Sequence, residues 1–341
     1  MLVKLDAATY RKIKALVSKG TYSSVENFVE IAMKNQLLLE TTSRLETIRL
    51  ATPHTTDKRE QPKLSSLLII PKKAFMETLV TKPIDEQTRN SPIWGQINRL
   101  APIKFVMRIL VNDLITREEA TVDLKRFSAD VAQLATQFRR FAKKKDRKRR
   151  IRGEELYVGF PKKSPSSQQR FLNYYVGKGR LRKWTDSILV GLSLVSVEEL
   201  EDGSAVMGPT EVGLRFALMH SPIIDDFFLA TKQIESPFSE HEVSFLIEHL
   251  SSVRPGEMEF LRFILKAIKK GTDTPTELRS EVYSFLSHKD LDMKISEKVA
   301  NTMQIGAIGR LVEMRLIKIE KDGQRSKYIQ TNNGENLTGL F

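Results

Sequence analysis

Cysteine is absent from this 341-residue sequence. Without thiols the chain can form neither disulfides nor thiolate metal sites, which is typical of proteins that work inside the cell. The longest apolar runs, such as Leu67–Ile70, are far too short to span a bilayer, and the first residues lack the apolar segment of a secretion signal. These absences predict an intracellular protein without a membrane segment.

The residue patterns of common enzymes are missing as well. The five histidines show no close metal-ligand spacing, and no G-x-x-x-x-G-K-[ST] phosphate loop occurs. Gly177-Lys178-Gly179 is too short to cradle a phosphate, and no serine nucleophile with an ordered base stands out. Asp225-Asp226 would suit a cation, although a helix cap or a loop turn is the simpler explanation. We therefore predict a non-enzymatic protein without cofactor or metal.

Positive charge is what the sequence has in excess. The chain holds 55 Lys and Arg against 42 Asp and Glu, which gives a net charge of +13 and an isoelectric point near 9.7. Such a chain favours a polyanionic partner, with nucleic acid ahead of an anionic membrane surface. Aromatic residues make up only 8% and form no stacking platform, so duplex DNA is favoured over single-stranded RNA.

The first forty residues have the pattern of one strand followed by two short helices. Leu2–Leu5 is extended, Asp6 is a helix N-cap, and Ser23 or Ser24 caps the second helix. So short a segment buries too little surface for independent stability, which predicts that a second copy completes the core. The layout, most specifically TYSSVENFVEIAMKNQL, resembles the ribbon-helix-helix family over residues 1–40.

The ribbon-helix-helix resemblance implies a homodimer whose paired ribbon enters the major groove of duplex DNA. It places Lys4, Ser23 and Ser24 at the DNA. Because Lys4 is a single point charge, we expect the ribbon to join two copies more than to read bases. An ordinary helical hairpin packed on the rest of the protein is the alternative.

The following stretch divides into a linker and a helical region. Residues 1–50 form the expected ribbon-helix-helix domain, residues 51–66 are a polar linker with two prolines, and residues 67–152 are a helical region. Within that region Pro102 starts or kinks one helix, and Thr116 is expected to cap the next.

The helical region ends in a basic run, residues 139–152, with ten Lys or Arg in fourteen positions. Such a block is either a solvated tail or a surface that contacts phosphates, and a nuclear-import-like role is a third option. Its place after an amphipathic helix in a basic chain favours phosphate contact. The candidate DNA-binding residues are Arg139, Arg140, Lys143, Lys144, Lys145, Arg147, Lys148, Arg149, Arg150 and Arg152.

Two further segments, residues 153–235 and residues 236–341, each place helices before a β-hairpin. In the second, Asp322-Gly323 is a strong turn signal, and in the first Thr210 caps the helix that follows the hairpin. TEVGLRFA in the first segment and IGRLVEMRLIKIEKDGQRSKYIQT in the second resemble parts of winged-helix domains. No repeat of fixed period relates the two segments.

In the winged-helix family the third helix enters the major groove and the wing touches the DNA backbone. Carried onto this sequence, the resemblance places the following residues at the duplex: Arg180, Arg182 and Lys183 in the first segment; Lys294, Ser296, Lys298, Asn301, Thr302 and Gln304 before and on the third helix of the second; and Lys321, Gln324, Arg325 and Lys327 on its wing. An interaction domain of the same shape that makes no DNA contact is the alternative.

Together these observations predict a mainly α-helical protein with a ribbon-helix-helix domain, a helical middle region and winged-helix domains with short β-hairpins. The expected function is sequence-specific or semi-specific binding of double-stranded DNA as a transcriptional regulator. The chain would act as a homodimer in the cytoplasm, associated with the nucleoid. The alternative is a non-enzymatic structural adaptor on DNA, as in plasmid partition or phage-defence assemblies.

Overall fold

The computed structural model describes residues 7–18, 22, 24–29, 77–149, 155–177, 187–226, 234, 236–289, 291, 294–322 and 325–339. These residues form a mainly helical protein with two small antiparallel sheets, as the sequence predicts. The expected strand Leu2–Leu5 and the expected linker, residues 51–66, lie outside the described residues.

The N-terminal segment contains helix α1 (Ala7–Ser18) and the described part of helix α2, residues 25–29. Ser24 caps α2, because its hydroxyl accepts a hydrogen bond from Asn27 N at 3.1 Å. Tyr22 packs edge-on against Phe28, with 4.9 Å between ring centroids. Burial raises the pKa of the Tyr22 phenol, and the charges of Arg108 and Asp225 both act on it. The Tyr22 side chain therefore lies near Arg108 and Asp225.

The first unit, residues 101–218, contains helices, one short strand and a β-hairpin, and short helix α3 (Glu86–Asn90) precedes it. Its sheet has the order β1-β3-β2, with Val122 opposite Met207 and Val195 opposite Pro209. The elements are α4 (Ala101–Arg117), β1 (Val122–Asp123), α5 (Leu124–Arg149), α6 (Pro165–Phe171) with a π-helical turn (Leu172–Val176), α7 (Ile188–Gly191), β2 (Val195–Glu199), β3 (Ala205–Pro209) and α8 (Glu211–Leu218). A second π-helical turn, Pro222–Asp226, follows.

The predicted domain boundary between residues 152 and 153 does not separate two folding units. Strand β1 precedes that boundary but pairs with β3 beyond it. Thr116 is not the cap that the sequence suggested, because it lies inside α4 and donates to Asn112 O. Helix α4 instead ends at Glu118 in the left-handed conformation, and the Asp123 carboxylate accepts from Arg126 N at the start of α5. Thr116 and Asp123 both have side chains that can cap a helix. Because β1 pairs with β3, Asp123 is the one that lies at the start of α5.

The second unit, residues 255–339, follows helix α9 (Glu240–Val253). Asp273 O accepts a hydrogen bond from Tyr328 N, so the segment before the second helix of this unit lies beside the hairpin. Ser239, Thr274 and Ser296 each cap the helix that follows, because their hydroxyls accept hydrogen bonds from the first turns of those helices. The elements are α10 (Pro255–Lys269), α11 (Pro275–Ser287), α12 (Glu297–Glu313), β4 (Ile317–Asp322), β5 (Arg325–Gln330) and α13 (Asn332–Gly339).

Both units share one continuous hydrophobic core. Helix α4 lies in its middle and is buried on every side along its first eleven residues, including Lys104 and Arg108. Lys104 pairs with Glu242 at 3.0 Å, and Arg310 pairs with Glu257 at 2.8 Å. Because a buried charge without a partner is very unfavourable, these pairs restrict how the helices can pack.

Candidate nucleic-acid interface

The basic run begins with residues that hold the fold together. Arg139 donates to Tyr157 O and Phe160 O at 2.8 Å, and its guanidinium stacks on the Tyr157 ring at 4.7 Å. Burial lowers the pKa of Arg139. Asp146, the one acid of the run, is buried and accepts from Tyr157 N. Arg139 therefore has a structural partner, and the negative charge points inward.

The next cations of the run project into solvent. Arg140, Lys143 and Lys144 are exposed, whereas Phe138 and Ala142 on the opposite side of α5 are buried. This follows from the helical repeat, which turns every third or fourth residue inward. Lys145 is half-buried, while Arg147, Lys148 and Arg149 belong to the helix but their side chains lie outside the described residues. Arg150, Arg152, Arg180, Arg182 and Lys183 also lie outside them, as do Lys4, Ser23 and Gln324.

Sequence reasoning missed an exposed aromatic ring within this surface. The Phe141 side chain is 51% exposed and lies between Arg140 and the two lysines that follow. An apolar ring among cations suits a partner that offers both charge and a flat apolar surface. The sequence contains a signal for this ring, because the helical pattern of buried Phe138 and Ala142 places the aromatic residue 141 on the solvent-facing side of α5.

The start of α12 is a second open surface. Lys294, Ser296 and Lys298 are exposed, and Asn301 is half-buried one turn further on. Ser296 also has a structural role, since its hydroxyl accepts from Val299 N. Thr302 is half-buried and donates to Lys298 O.

The expectation that Gln304 faces a duplex is wrong. Its side chain is 2% exposed and donates to Pro275 O at 2.8 Å, across the interface with α11. Ile305 is the outward residue at this level, with 54% exposure.

The second half of α12 is closed by the segment before α4. Gly306 and Gly309 meet the backbone of Gly95 and Asn98 so closely that an added Cβ would overlap it. Arg99 donates to Gly309 O at 2.9 Å in the same contact. Only the first turns of α12 are therefore free to approach a partner.

The two hairpins differ in charge. On the second, Lys321 is exposed and Lys327 half-buried, while the Arg325 side chain lies outside the described residues. Lys318 and Glu320 form an exposed pair at 2.5 Å, which adds little stability. The first hairpin instead exposes four carboxylates around Leu200, whose side chain is 46% exposed; they are Glu198, Glu199, Glu201 and Asp202. Phosphate would be attracted by the second hairpin and repelled by the first.

The buried charges Lys104, Glu242 and Asp225 each have an oppositely charged partner within the fold. Burial lowers the pKa of Lys104 to about 8 and raises the pKa of Glu242, yet neither side chain is reached by solvent. Asp225 is not a cation site, because its carboxylate accepts two hydrogen bonds from Arg108 and one from Ser221 N. Perturbed titration marks a functional site only where a substrate can enter. These groups therefore serve the fold.

Among the described residues no group of three His, Asp or Glu could hold a metal ion, and no helix is long and apolar enough to cross a bilayer. Comparisons with models of protein families, with curated proteins and with solved structures found no match.

Proposed function

We propose that the chain binds double-stranded DNA and regulates transcription. The observation that carries this proposal is the solvent-facing group of Arg140, Lys143 and Lys144, whose only acidic neighbour in the run, Asp146, is turned inward. Three exposed cations on one helical surface would neutralise phosphates and release counterions, which makes binding depend on salt. The net charge of +13 supports the same partner.

The order of elements supports a winged-helix interpretation of both units. Each unit has a helix, an extended segment beside the hairpin, further helices, the hairpin and a closing helix. In the second unit the helix before the hairpin is α12, whose open start bears Lys294 and Lys298. A helix that enters the major groove by its N-terminal turns would present these residues to the duplex.

We also propose that the chain forms a homodimer through residues 1–40. The capped helix α2 and the short α1 support the ribbon-helix-helix resemblance, and Tyr10 on α1 is 44% exposed. Sedimentation of the full chain and of a chain that begins at residue 7 tests this. A dimer that becomes a monomer on truncation is the expected result, and a monomer in both cases contradicts it.

Duplex binding is tested by fluorescence anisotropy on labelled random and upstream DNA across a salt series. The triple variant Arg140→Gln, Lys143→Gln, Lys144→Gln should reduce the salt slope by about 3, since each phosphate contact contributes about 0.9. The matched control neutralises three other exposed lysines, at the end of α10 and directly after it: Lys266, Lys269 and Lys270. Equal weakening by both variants, or no salt-sensitive binding by the native chain, contradicts the proposal. Competition with single-stranded RNA tests the nucleic-acid class.

A structural adaptor is the second candidate, and the acidic first hairpin favours it. Carboxylates around an exposed leucine suit a protein partner better than a phosphate backbone. Such an adaptor would bind DNA through the basic surfaces and recruit another protein through Glu198–Asp202. Electron microscopy of DNA complexes distinguishes the two, because regular arrays or a co-purifying ATPase indicate an adaptor and isolated bound particles indicate a regulator.

A further inference from the structure

The two units have the same junction where the hairpin begins. Ser193 and Arg315 each precede the first hairpin strand, and both adopt a left-handed backbone, with φ of 52° and 55°. Residues other than glycine rarely take this conformation, because the Cβ is crowded. Its occurrence at the same place in both units indicates one shared backbone path.

The junction where each hairpin ends also repeats. Thr210 donates its hydroxyl to Ser193 O at 2.7 Å and accepts from Gly213 N at 3.0 Å. Thr331 donates to Arg315 O at 2.5 Å and accepts from Gly334 N at 3.3 Å. In both units the threonine N–H also donates, at 3.1 Å, to the carbonyl of the first residue after the left-handed one, Leu194 or Leu316.

The glycines of these junctions are required by the same contact. An added Cβ at Gly213 would overlap Leu194 O, and one at Gly334 would overlap Leu316 O. The separation from left-handed residue to threonine is 17 residues in the first unit and 16 in the second. The net difference of one residue arises because the first hairpin has a turn of five residues and strands of five, whereas the second has a turn of two residues and strands of six.

The contacts between the units are reciprocal. Arg99, just before α4 of the first unit, donates to Gly309 O in α12 of the second. Arg254, just before α10 of the second unit, lies beside Gly191 in α7 of the first, with its Nη1 3.2 Å from the point that an added Cβ would occupy. Each arginine thus meets the helix that leads into the hairpin of the other unit. Reciprocal contacts of this kind are the property of a two-fold interface.

From these equivalences we infer that one chain contains two copies of a single DNA-reading unit, related by an approximate two-fold axis. Resting on the proposed function, the inference is that the duplex target consists of two half-sites in inverted orientation at a fixed spacing, both read by one chain. A two-fold reader matches an inverted target for the same reason that a dimeric repressor does. The shared core and the hydrogen bond from Arg99 to Gly309 O hold the spacing rigid.

The target is determined by selecting bound duplexes from a random library with the full chain. We expect two inverted half-sites at one separation. Inserting one base pair between them should weaken binding by about tenfold or more, since a misplaced contact costs about 1–3 kcal/mol per base pair. Inserting one base pair outside them should have little effect. A lone half-site, a direct repeat or tolerance of the central insertion overturns the inference while leaving duplex binding intact. Absence of any duplex binding overturns the proposed function itself.

A charge reversal in one unit gives a second test. Lys294→Glu with Lys298→Glu should remove the protection of one half-site in a footprint at raised protein concentration and leave the other protected. The control, Lys266→Glu with Lys269→Glu, should leave both half-sites protected. If the first variant folds normally by circular dichroism but loses protection equally over both half-sites, the two half-sites are not read separately by the two units. That result would overturn the inference.

Discussion

The two hairpins share a backbone design and differ in their surface. Both begin after a left-handed residue and end at a threonine that binds back to it. Yet residues 195–209 carry four carboxylates and no cation, whereas residues 317–330 carry four cations and two carboxylates. The comparison teaches that the buried junction constrains the sequence, while the solvent-facing positions of the two hairpins are free to take opposite charges.

The interiors of the two units differ as well. In the second unit the buried pair Arg310–Glu257 joins two helices of the same unit. In the first, Lys104 on α4 pairs with Glu242 on α9, the helix that leads to the second unit. The first unit is therefore stabilised by a contact outside its own sequence span, and the second by a contact within it.

The largest effect on stability is expected where a buried charge loses its partner. Arg310→Met leaves Glu257 buried and unpaired, and Lys104→Met does the same to Glu242. Each should lower the free energy of unfolding by about 3–5 kcal/mol, measured by urea denaturation. Pairing each change with Gln at the carboxylate should recover part of the loss. A loss below about 1 kcal/mol in either unit would mean that its pair is not buried as described.

The second unit should also respond to pH through Glu313. Its carboxylate accepts from Leu100 N and Ala101 N, and burial raises its pKa to about 7 from the ordinary 4.5. Because the folded state holds this proton more tightly, the contribution to stability is complete below about pH 4.5 and is lost as the pH rises through 7. Glu313→Gln should remove a pH dependence of up to about 3 kcal/mol over that range.

Urea denaturation at pH 4.5, 6 and 8 measures the Glu313 effect, with the exposed Glu297→Gln as control. The control should follow the native curve. A Glu313→Gln curve parallel to the native one would mean that this carboxylate titrates normally.

The equivalence of the junctions predicts equal sensitivity to a single methyl group. Gly213→Ala and Gly334→Ala should each lower the free energy of unfolding by about 1–3 kcal/mol. The added Cβ would overlap the carbonyl oxygen of Leu194 or of Leu316. Gly271→Ala is the control, since its φ of +98° is strained but no atom lies within 4 Å. That change should cost only about 1 kcal/mol. Loss in one unit and tolerance in the other would break the comparison.

Charge removal on the hairpins should separate their roles. Lys321→Gln with Lys327→Gln should weaken duplex binding by about tenfold at low salt and reduce the salt slope by about 2. Glu198→Gln with Glu199→Gln removes as many charges from the first hairpin and should leave binding unchanged or tighter. Anisotropy titrations measure both. Weaker binding by the Glu198→Gln, Glu199→Gln variant would contradict the expectation that only the second hairpin contacts the duplex.

The smallest effect is expected at the surface. Arg117 pairs with Asp113 at 2.8 Å within α4, but the arginine side chain is 40% exposed. Arg117→Gln should cost no more than about 0.5 kcal/mol, because solvent already screens the pair. A cost similar to that of the buried pairs, in the same urea assay, would show that exposure does not distinguish the two classes here.

Local chemistry made part of the fold predictable from the sequence. The caps at Thr210, Ser239 and Thr274 and the hairpin turn at Asp322 depend on residues three or four apart, so their signals are complete within one segment. For the interface, alternating exposure along α5 distinguishes Arg140 from Arg139, but only contact with Tyr157 shows that Arg139 is already engaged.

Other features depended on contacts between distant residues. A two-residue strand such as Val122–Asp123 has no period to detect, and it exists because β3 offers it hydrogen bonds. Lys104 and Arg108 look like solvent-facing charges between apolar residues of α4 until their carboxylate partners approach from more than 100 residues away. Gln304 likewise appeared outward because its partner, Pro275 O, is on another helix.

The sequence by itself determined the mainly helical content, the two hairpins, the helix starts and the excess of positive charge, because propensity, capping and composition are properties of short segments. Tertiary structure alone decided that two differently charged segments follow the same path and meet reciprocally. The similarity of the two units lies in their carbonyl hydrogen bonds, left-handed residues and close glycine contacts. These features depend on where the backbone lies, so they produce almost no repeat in the amino-acid sequence.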